Sequence, residues 1–143
     1  PERLYAVPDR LSVLHDRPRA LRLSPTSSVQ FIGFVTDSDL PALYSSAAAF
    51  CYPSEREGFG MPVLEAMSYG TPVVTSLGTS TEEVAGGAAV LVDPFDVEDI
   101  ARGVNEALTR RHELSFWGLR QAARRQWSET ARLTVAAYRE VID

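Results

Sequence analysis

The chain has 143 residues, of which 45% are hydrophobic and 23% are charged, a balance typical of one ordinary globular domain rather than a disordered chain. The net charge of -5 argues against nucleic acid as the main partner, because a phosphate backbone attracts concentrated cationic side chains. All 14 basic residues are arginine, so a phosphate loop or a Schiff-base enzyme that depends on lysine is excluded.

Short apolar runs alternate with helical patterns from residue 29 onward, which is typical of a parallel sheet covered by helices. The predicted strands cover residues 29–35, 47–52, 72–75 and 88–92. In residues 1–28, repeated prolines interrupt any long element, and 11–15 is a candidate strand. The sequence therefore predicts a single α/β domain over residues 1–143, with a Rossmann-like parallel sheet that has helices on both faces.

Helical patterns connect these strands, and three more follow the last strand. They cover residues 40–46 and 61–69, a short segment that begins at Ser80, and three consecutive terminal helices that end near residues 109, 126 and 142. Ser80 and Glu83 have the spacing of a capping box, and Asp96 and Ser128 are predicted to cap the first and last terminal helices. Helical crossovers place the carboxyl ends of parallel strands at one edge, where ligands bind. Residues 53–60, the glycine loop, are predicted to lie at that edge.

Several kinds of site are not predicted. Cys51 is the only cysteine, so no disulfide within the chain and no thiolate metal site is expected. His15 and His112 are far apart in sequence and suggest neither a zinc site nor a nucleophile-base pair. No apolar run approaches the roughly 20 residues of a membrane-spanning helix, and residues 1–10 lack the apolar centre of a signal peptide. We therefore expect a cytoplasmic chain with no metal and no membrane span.

The stretch from Glu57 to Glu65 is the most informative part of the sequence, and it reads Glu-Gly-Phe-Gly-Met-Pro-Val-Leu-Glu. Gly58 and Gly60 let a ligand approach the main chain closely, and Pro62 suits the first position of a helix. Unpaired amides at a helix start attract anions. The pattern thus predicts a phosphate-binding loop, and the two carboxylates beside it need another role.

A dinucleotide-binding fingerprint is one alternative for this loop. Gly58 and Gly60 supply its first two glycines, but Val63 stands where the third belongs. The acid expected near the end of the next strand is also missing, since Thr75 and Ser76 occupy that place. Nicotinamide or flavin binding is therefore disfavoured.

The two acids also have a purely structural interpretation, in which Glu57 is an ordinary loop carboxylate and Glu65 is a first-turn acid that stabilises the helix dipole. That interpretation leaves the combination of two glycines, an exposed Phe59 and two acids unexplained. An ionised carboxylate can accept two hydrogen bonds from a vicinal diol. A ligand that carries both a diphosphate and sugar hydroxyls fits these residues.

A series of motifs resembles one protein family. These motifs are Phe31-Ile-Gly-Phe-Val35, Asp39-Leu-Pro-Ala-Leu-Tyr44, Tyr52-Pro-Ser54, the segment from Glu57 to Met67, Gly70-Thr-Pro-Val-Val-Thr75, Glu83-Val-Ala-Gly86 and Val92-Asp-Pro94. In this order they are similar to the carboxy-terminal, donor-binding domain of the group 1 retaining glycosyltransferases, which is one half of a GT-B fold. In that family, a glutamate pair with the spacing of Glu57 and Glu65 defines the site for the nucleotide sugar.

The resemblance implies a role for each candidate site residue. Glu57 would be the catalytic-site residue that contacts hydroxyls of the donor sugar, and Glu65 would bind the ribose diol. Ser54 would lie close to the pocket, and main-chain groups near Phe34 and Val35 would touch the base. The backbone that faces the sugar and the diphosphate would come from Gly58, Phe59, Gly60 and Met61.

The resemblance also implies the reaction. A sugar would pass from a nucleoside diphosphate donor, such as a UDP- or GDP-sugar, to a hydroxyl acceptor, with retained anomeric configuration. No cofactor and no divalent metal would be needed, so cationic groups must neutralise the leaving diphosphate. The family places an arginine and a lysine for this after its first strand, and residues 1–28 show no such pattern.

Two expectations follow from what the sequence lacks. The half that holds the acceptor is not represented, so residues 1–143 are expected to be a truncated hexosyltransferase domain that is inactive alone. Activity would then require the missing amino-terminal acceptor domain or a partner chain. The competing hypotheses are a non-catalytic Rossmann-like subunit that completes a site with a partner, and a decayed domain without activity.

Overall fold

The computed structural model describes residues 4–6 and 29–142, and the candidate strand over 11–15 lies outside them. The chain divides into two compact units, residues 1–40 and 41–143, and each is described by itself. The single-domain organisation expected from the sequence stays a prediction.

A short pair of parallel strands forms the sheet of the first unit. Strand β1 (Leu4–Ala6) pairs with β2 (Val29–Phe31). The sequence predicted an extended run as far as residue 35, but β2 ends earlier and Gly33 adopts a left-handed φ of +66°. A left-handed residue turns the chain out of the extended conformation, which accounts for the shorter strand.

A three-stranded parallel sheet forms the centre of the second unit. Its strands are β3 (Phe50–Tyr52), β4 (Val73–Ser76) and β5 (Val90–Val92), in the order β3-β4-β5. The register aligns Cys51 with Val74 and Val74 with Val90. These three strands confirm the predicted parallel arrangement, although the ladders of β3 and β5 are shorter than the apolar runs that predicted them.

Helices precede, connect and follow these strands. They are α1 (Leu40–Ser46), α2 (Met61–Ser68), α3 (Ser80–Ala85), α4 (Val97–Thr109), α5 (Arg111–Arg124) and α6 (Trp127–Ile142). Helix α2 begins beside Pro62 as predicted, and Gly70 follows it with a φ of +71°. The three terminal helices are confirmed. None of the helices among the described residues combines the length and apolar character that crossing a bilayer requires.

Two of the predicted helix caps are wrong. The N-cap of α3 is Thr79, and the hydroxyl of Ser80 instead donates to the main-chain oxygen of Glu57 at 2.8 Å. A tertiary acceptor therefore takes the hydroxyl that a capping box would use. Ser128 lies inside the first turn of α6, one residue after its start, so it does not cap that helix.

Strand β4 is buried on both faces, because all four of its residues are inaccessible. On one face, Val74 and Val92 form a core cluster with Ala107 of α4 and Leu114 of α5. On the opposite face, Val73 is equally buried, with a relative exposure of 0%. The predicted layered α/β architecture, a parallel sheet with helices on both faces, is therefore confirmed.

The predicted cap of α4 is confirmed and has a measurable consequence. The Oδ1 atom of Asp96 accepts hydrogen bonds from the amides of Glu98 at 2.9 Å and Asp99 at 3.2 Å. We expect Asp96→Ala to lower the free energy of unfolding by about 1 kcal/mol, because these amides lose their acceptor. Ser128→Ala, which removes no cap, serves as the matched control in urea denaturation. Equal losses for the two variants would contradict the assignment.

Candidate functional site

The glycine loop follows β3 at the carboxyl edge of the sheet and leads into α2. Hydroxyl groups from the neighbouring elements hold its main chain. The Ser76 hydroxyl, at the end of β4, donates to the carbonyl oxygen of Ser54 at 2.7 Å. The Ser80 hydroxyl, at the start of α3, donates to the carbonyl oxygen of Glu57. The loop conformation therefore depends on two elements that follow it in sequence.

Gly60 closes the loop in a conformation that favours glycine. Its φ is +103° and its ψ is 41°, and it is buried. A Cβ atom at this position would lie 2.9 Å from Cγ2 of Thr81. Both the backbone conformation and the close approach of α3 require the absence of a side chain.

The main chain of the loop presents unpaired donors. Within the part of the chain that the structure describes, the amides of Gly58, Phe59 and Gly60 have no hydrogen-bond acceptor. Gly58 is exposed, and a Cβ built there would meet no atom within 4 Å. The predicted exposure of Phe59 is confirmed, since 43% of this residue is accessible. Unpaired amides before a helix start are suited to binding an anion.

Glu57 is half-buried, and one of its two carboxylate oxygens is already occupied. Its Oε1 atom accepts a hydrogen bond from the hydroxyl of Tyr52 and one from Oγ of Ser54 at 3.2 Å. Among the described residues, Oε2 accepts none. The structure thus brings the Ser54 hydroxyl to Oε1 of Glu57, and the proximity of Ser54 to a donor pocket stays a prediction.

Glu65 lies one turn further into α2 than the sequence suggested. The first turn of α2 contains no acidic residue, so the expectation of a first-turn acid is wrong. A helix dipole acts mainly within the terminal turn, which weakens the purely structural explanation of this glutamate. Its Oε2 atom accepts a hydrogen bond from the hydroxyl of Tyr44 at 3.3 Å.

A row of four aromatic rings supports the two tyrosines. Tyr44 meets Phe50 edge to face, with ring centres 5.3 Å apart, and stacks on Tyr69 at 6.0 Å. Phe50 stacks on Tyr52 at 5.7 Å. Burial, followed by the charge of Glu65 and the hydrogen bond to it, raises the pKa of Tyr44 well above its ordinary value of 10.0. The Tyr44 hydroxyl therefore stays protonated and remains a donor.

The predicted site residues are divided between the two units. Glu57, Ser54, Glu65 and the loop amides belong to the second unit, whereas Val35 belongs to the first. The base contact proposed for Val35 therefore stays a prediction. Residues 1–28 show no pattern for the cationic clamp that the resemblance implies, and residues 7–28 lie outside the described part of the chain.

Tyr44, Tyr52 and Ser80 are the residues whose contacts the sequence did not reveal. Both tyrosines stood within the quoted motifs, but 21 residues separate Tyr44 from Glu65. No local spacing rule connects positions so far apart. In residues 29–142 and 4–6, no group of three or more histidine, cysteine, aspartate or glutamate side chains is arranged to hold a metal ion.

Comparison with known proteins supplies the family of this parallel α/β protein. Residues 17–134 match the family described as "Glycosyl transferases group 1". The chain therefore belongs to the group 1 glycosyltransferases.

Among curated relatives, O-antigen chain mannosyltransferase B of Escherichia coli is 43% identical over 114 residues, which cover 78% of this chain and 30% of that protein. The serotype-specific mannosyltransferase WbdA of Escherichia coli is 39% identical over 132 residues, which cover 87% of this chain and 16% of that protein. The chain thus spans less than a third of the length of these relatives.

Solved structures share the fold. Sucrose-phosphate synthase from Thermosynechococcus elongatus matches with a TM-score of 0.70 and 26% identity, over 80% of this chain and 30% of that one. Anabaena Alr3699/HepE in complex with UDP-glucose matches with a TM-score of 0.68 over 84% of this chain and 34% of that one. Its identity of 24% shows a common fold and nothing more specific.

Proposed function

We propose that this chain is the donor-binding domain of a retaining glycosyltransferase that moves a hexose from a nucleoside diphosphate sugar to a hydroxyl acceptor. The observation that carries the proposal is the combination of unpaired loop amides with Glu57 and Glu65, each of which has one oxygen held by a tyrosine. A nucleoside diphosphate sugar has an anion between two groups of hydroxyls. The loop and the two glutamates offer the complementary chemistry.

Each group has a defined task in this proposal. The amides of Gly58, Phe59 and Gly60, with Met61 at the start of α2, receive the diphosphate, because unpaired N–H groups and the helix dipole both favour negative charge. Glu57 accepts hydrogen bonds from the donor sugar through its open oxygen. Glu65 accepts them from the ribose diol.

The transfer itself replaces one bond of the anomeric carbon with another. The bond to the diphosphate oxygen breaks, a bond to the acceptor oxygen forms, and the acceptor's proton passes to the departing diphosphate. Amides oriented before the reaction stabilise the charge that develops on that leaving group. The acceptor-binding half would come from the rest of a longer protein or from a partner chain, since the relatives are much longer than this chain.

Donor identity is the finer part of the proposal. The two Escherichia coli relatives described above are named as mannosyltransferases, which favours a hexose donor. The unpaired loop amides before the start of α2 favour a nucleoside diphosphate as the carrier. We propose a metal-independent reaction, because the loop amides and the helix start supply the positive end of the site.

The roles of the two glutamates can be separated by calorimetric titration with nucleoside diphosphates and with their hexose conjugates. We expect Glu65→Ala to weaken both ligands about tenfold or more, because it removes charge-assisted hydrogen bonds to the ribose that both ligands carry. Glu57→Ala is expected to weaken the sugar conjugates by a similar factor and to leave the plain diphosphates unchanged.

Glu83→Ala is the matched control, since Glu83 is an exposed glutamate in the first turn of α3. It is expected to bind as the wild type does. Absence of saturable binding by the wild-type chain would overturn the proposed function and favour a domain without donor binding. If Glu65→Ala and Glu57→Ala each lost the same affinity for the plain diphosphates and for the sugar conjugates, the assignment of roles would be overturned.

A further inference from the structure

We propose that Tyr44 is a positioning residue that orients the carboxylate of Glu65 toward the ribose diol, and thereby sets the preference of this site for ribonucleotides over 2′-deoxyribonucleotides. The inference rests on the proposed function and goes beyond it, because it assigns the sugar discrimination of the nucleotide to a residue that need not touch the ligand.

The position of Tyr44 is determined by the fold alone. Only 7% of the residue is exposed. Its ring lies between Phe50 and Tyr69, and its carbonyl oxygen accepts a hydrogen bond from the hydroxyl of Thr71 at 2.6 Å. Contacts on the ring and on the main chain therefore hold the hydroxyl group in place before any ligand arrives.

Glu65, in contrast, depends on that hydroxyl for its orientation. Within the described part of the chain, the contact between the Tyr44 hydroxyl and Oε2 is the one hydrogen bond of this carboxylate. Among residues 29–142, no arginine forms an ion pair with it. A glutamate side chain that is free to rotate must lose rotamer freedom when a ligand binds, and a preoriented side chain loses less.

The contact leaves the chemistry of the carboxylate available. A carboxylate has two oxygens with about four acceptor positions, and Tyr44 occupies one of them. The remaining positions suffice for two hydroxyls of a ribose. A 2′-deoxyribose offers one hydroxyl fewer, so a correctly oriented Glu65 binds it less tightly, whereas a freely rotating Glu65 distinguishes the two sugars poorly.

The test compares ribonucleoside diphosphates with their 2′-deoxy counterparts by calorimetry on the wild-type chain and on Tyr44→Phe. We expect the wild-type chain to prefer the ribose form about tenfold, as a charge-assisted hydrogen bond implies, and Tyr44→Phe to reduce this preference to about threefold or less. The phenylalanine ring preserves the aromatic row and removes the hydroxyl alone.

Tyr69→Phe is the matched control. It makes the same substitution in the same aromatic row, and among residues 29–142 the hydroxyl of Tyr69 has no hydrogen-bond partner. It should keep the wild-type preference. If Tyr44 had a purely structural role, Tyr44→Phe would instead weaken the binding of the ribose and the 2′-deoxyribose ligands by the same factor.

A second route to the same answer does not alter the aromatic row. Glu65→Asp withdraws the carboxylate from Tyr44 by one methylene group, so it is also expected to lose the preference for ribose. In a Glu65→Ala background, Tyr44→Phe should then have no further effect on either ligand, because Tyr44 acts through the glutamate.

The outcomes distinguish this inference from the proposed function. A preference for ribose that persists in Tyr44→Phe, or a Tyr44→Phe effect that survives in the Glu65→Ala background, overturns the role of Tyr44 and leaves donor binding intact. A wild-type chain that binds both sugar forms equally overturns the role of Tyr44 as well. A wild-type chain that binds no nucleoside diphosphate overturns both.

Discussion

Replacing Gly60 with alanine is expected to lower the free energy of unfolding by about 2 to 6 kcal/mol and to abolish nucleotide binding. Two costs of about 1 to 3 kcal/mol each contribute. The first is the strain of a left-handed backbone in a residue with a Cβ atom, since φ is +103°. The second is overpacking, since the new atom would lie 2.9 Å from Cγ2 of Thr81.

Gly78→Ala separates these two costs. Gly78 also has a positive φ, of +73°, but a Cβ atom there would meet nothing within 4 Å. We expect Gly78→Ala to lower the free energy of unfolding by about 1 kcal/mol, from backbone strain alone. Guanidinium denaturation of both variants gives the difference. If Gly60→Ala were no less stable than Gly78→Ala, the close approach of α3 to the loop would be wrong.

Gly103→Ala is expected to lower the free energy of unfolding by about 2 kcal/mol, because α4 lies directly on the sheet at this position. A Cβ atom would lie 2.4 Å from Cγ1 of Val92 and 3.1 Å from Cγ1 of Val74. Overpacking of this kind costs about 3 kcal/mol at its upper end, and the better helix propensity of alanine offsets about 1 kcal/mol. Thermal and urea unfolding measure the net effect.

Gly118→Ala is the matched control in the neighbouring helix α5. Gly118 is also a buried helical glycine, but its added Cβ atom would lie 3.3 Å from Cγ of Met67, a flexible side chain. We expect a change within about 1 kcal/mol of zero, because a small shift of the methionine is opposed by the gain in helix propensity. A larger loss at Gly118 than at Gly103 would contradict the packing of α4 on β4 and β5.

The elements best predicted from sequence are those whose signals are local. Pro62 and the preceding glycine mark the start of α2, and Asp96 caps α4 through amides two and three residues ahead. The alternation of short apolar runs with helical patterns was sufficient for the parallel sheet. In these cases, the physical cause lies within a few residues of the feature it produces.

The errors had two causes, a distant residue that competed for a local group and a backbone conformation that apolar character does not reveal. Ser80 has the spacing of a capping residue, but its hydroxyl bonds the carbonyl oxygen of Glu57, 23 residues earlier. The predicted strand over 29–35 was too long because apolar character alone does not reveal that Gly33 adopts a positive φ. A local pattern shows what a group is able to bind, and it does not show which partner the fold will bring closest.

In the glycine loop, too, some features follow from the sequence and others depend on the tertiary structure. The sequence by itself determined the residue types: two glycines, an exposed aromatic residue, and two glutamates around one helix start. Only the tertiary structure decided how the glutamates are held, because Tyr44 comes from α1, and Tyr52 from the end of β3. Hydrogen bonds depend on distance and direction in space, and the packing of α1, β3 and α2 supplies both.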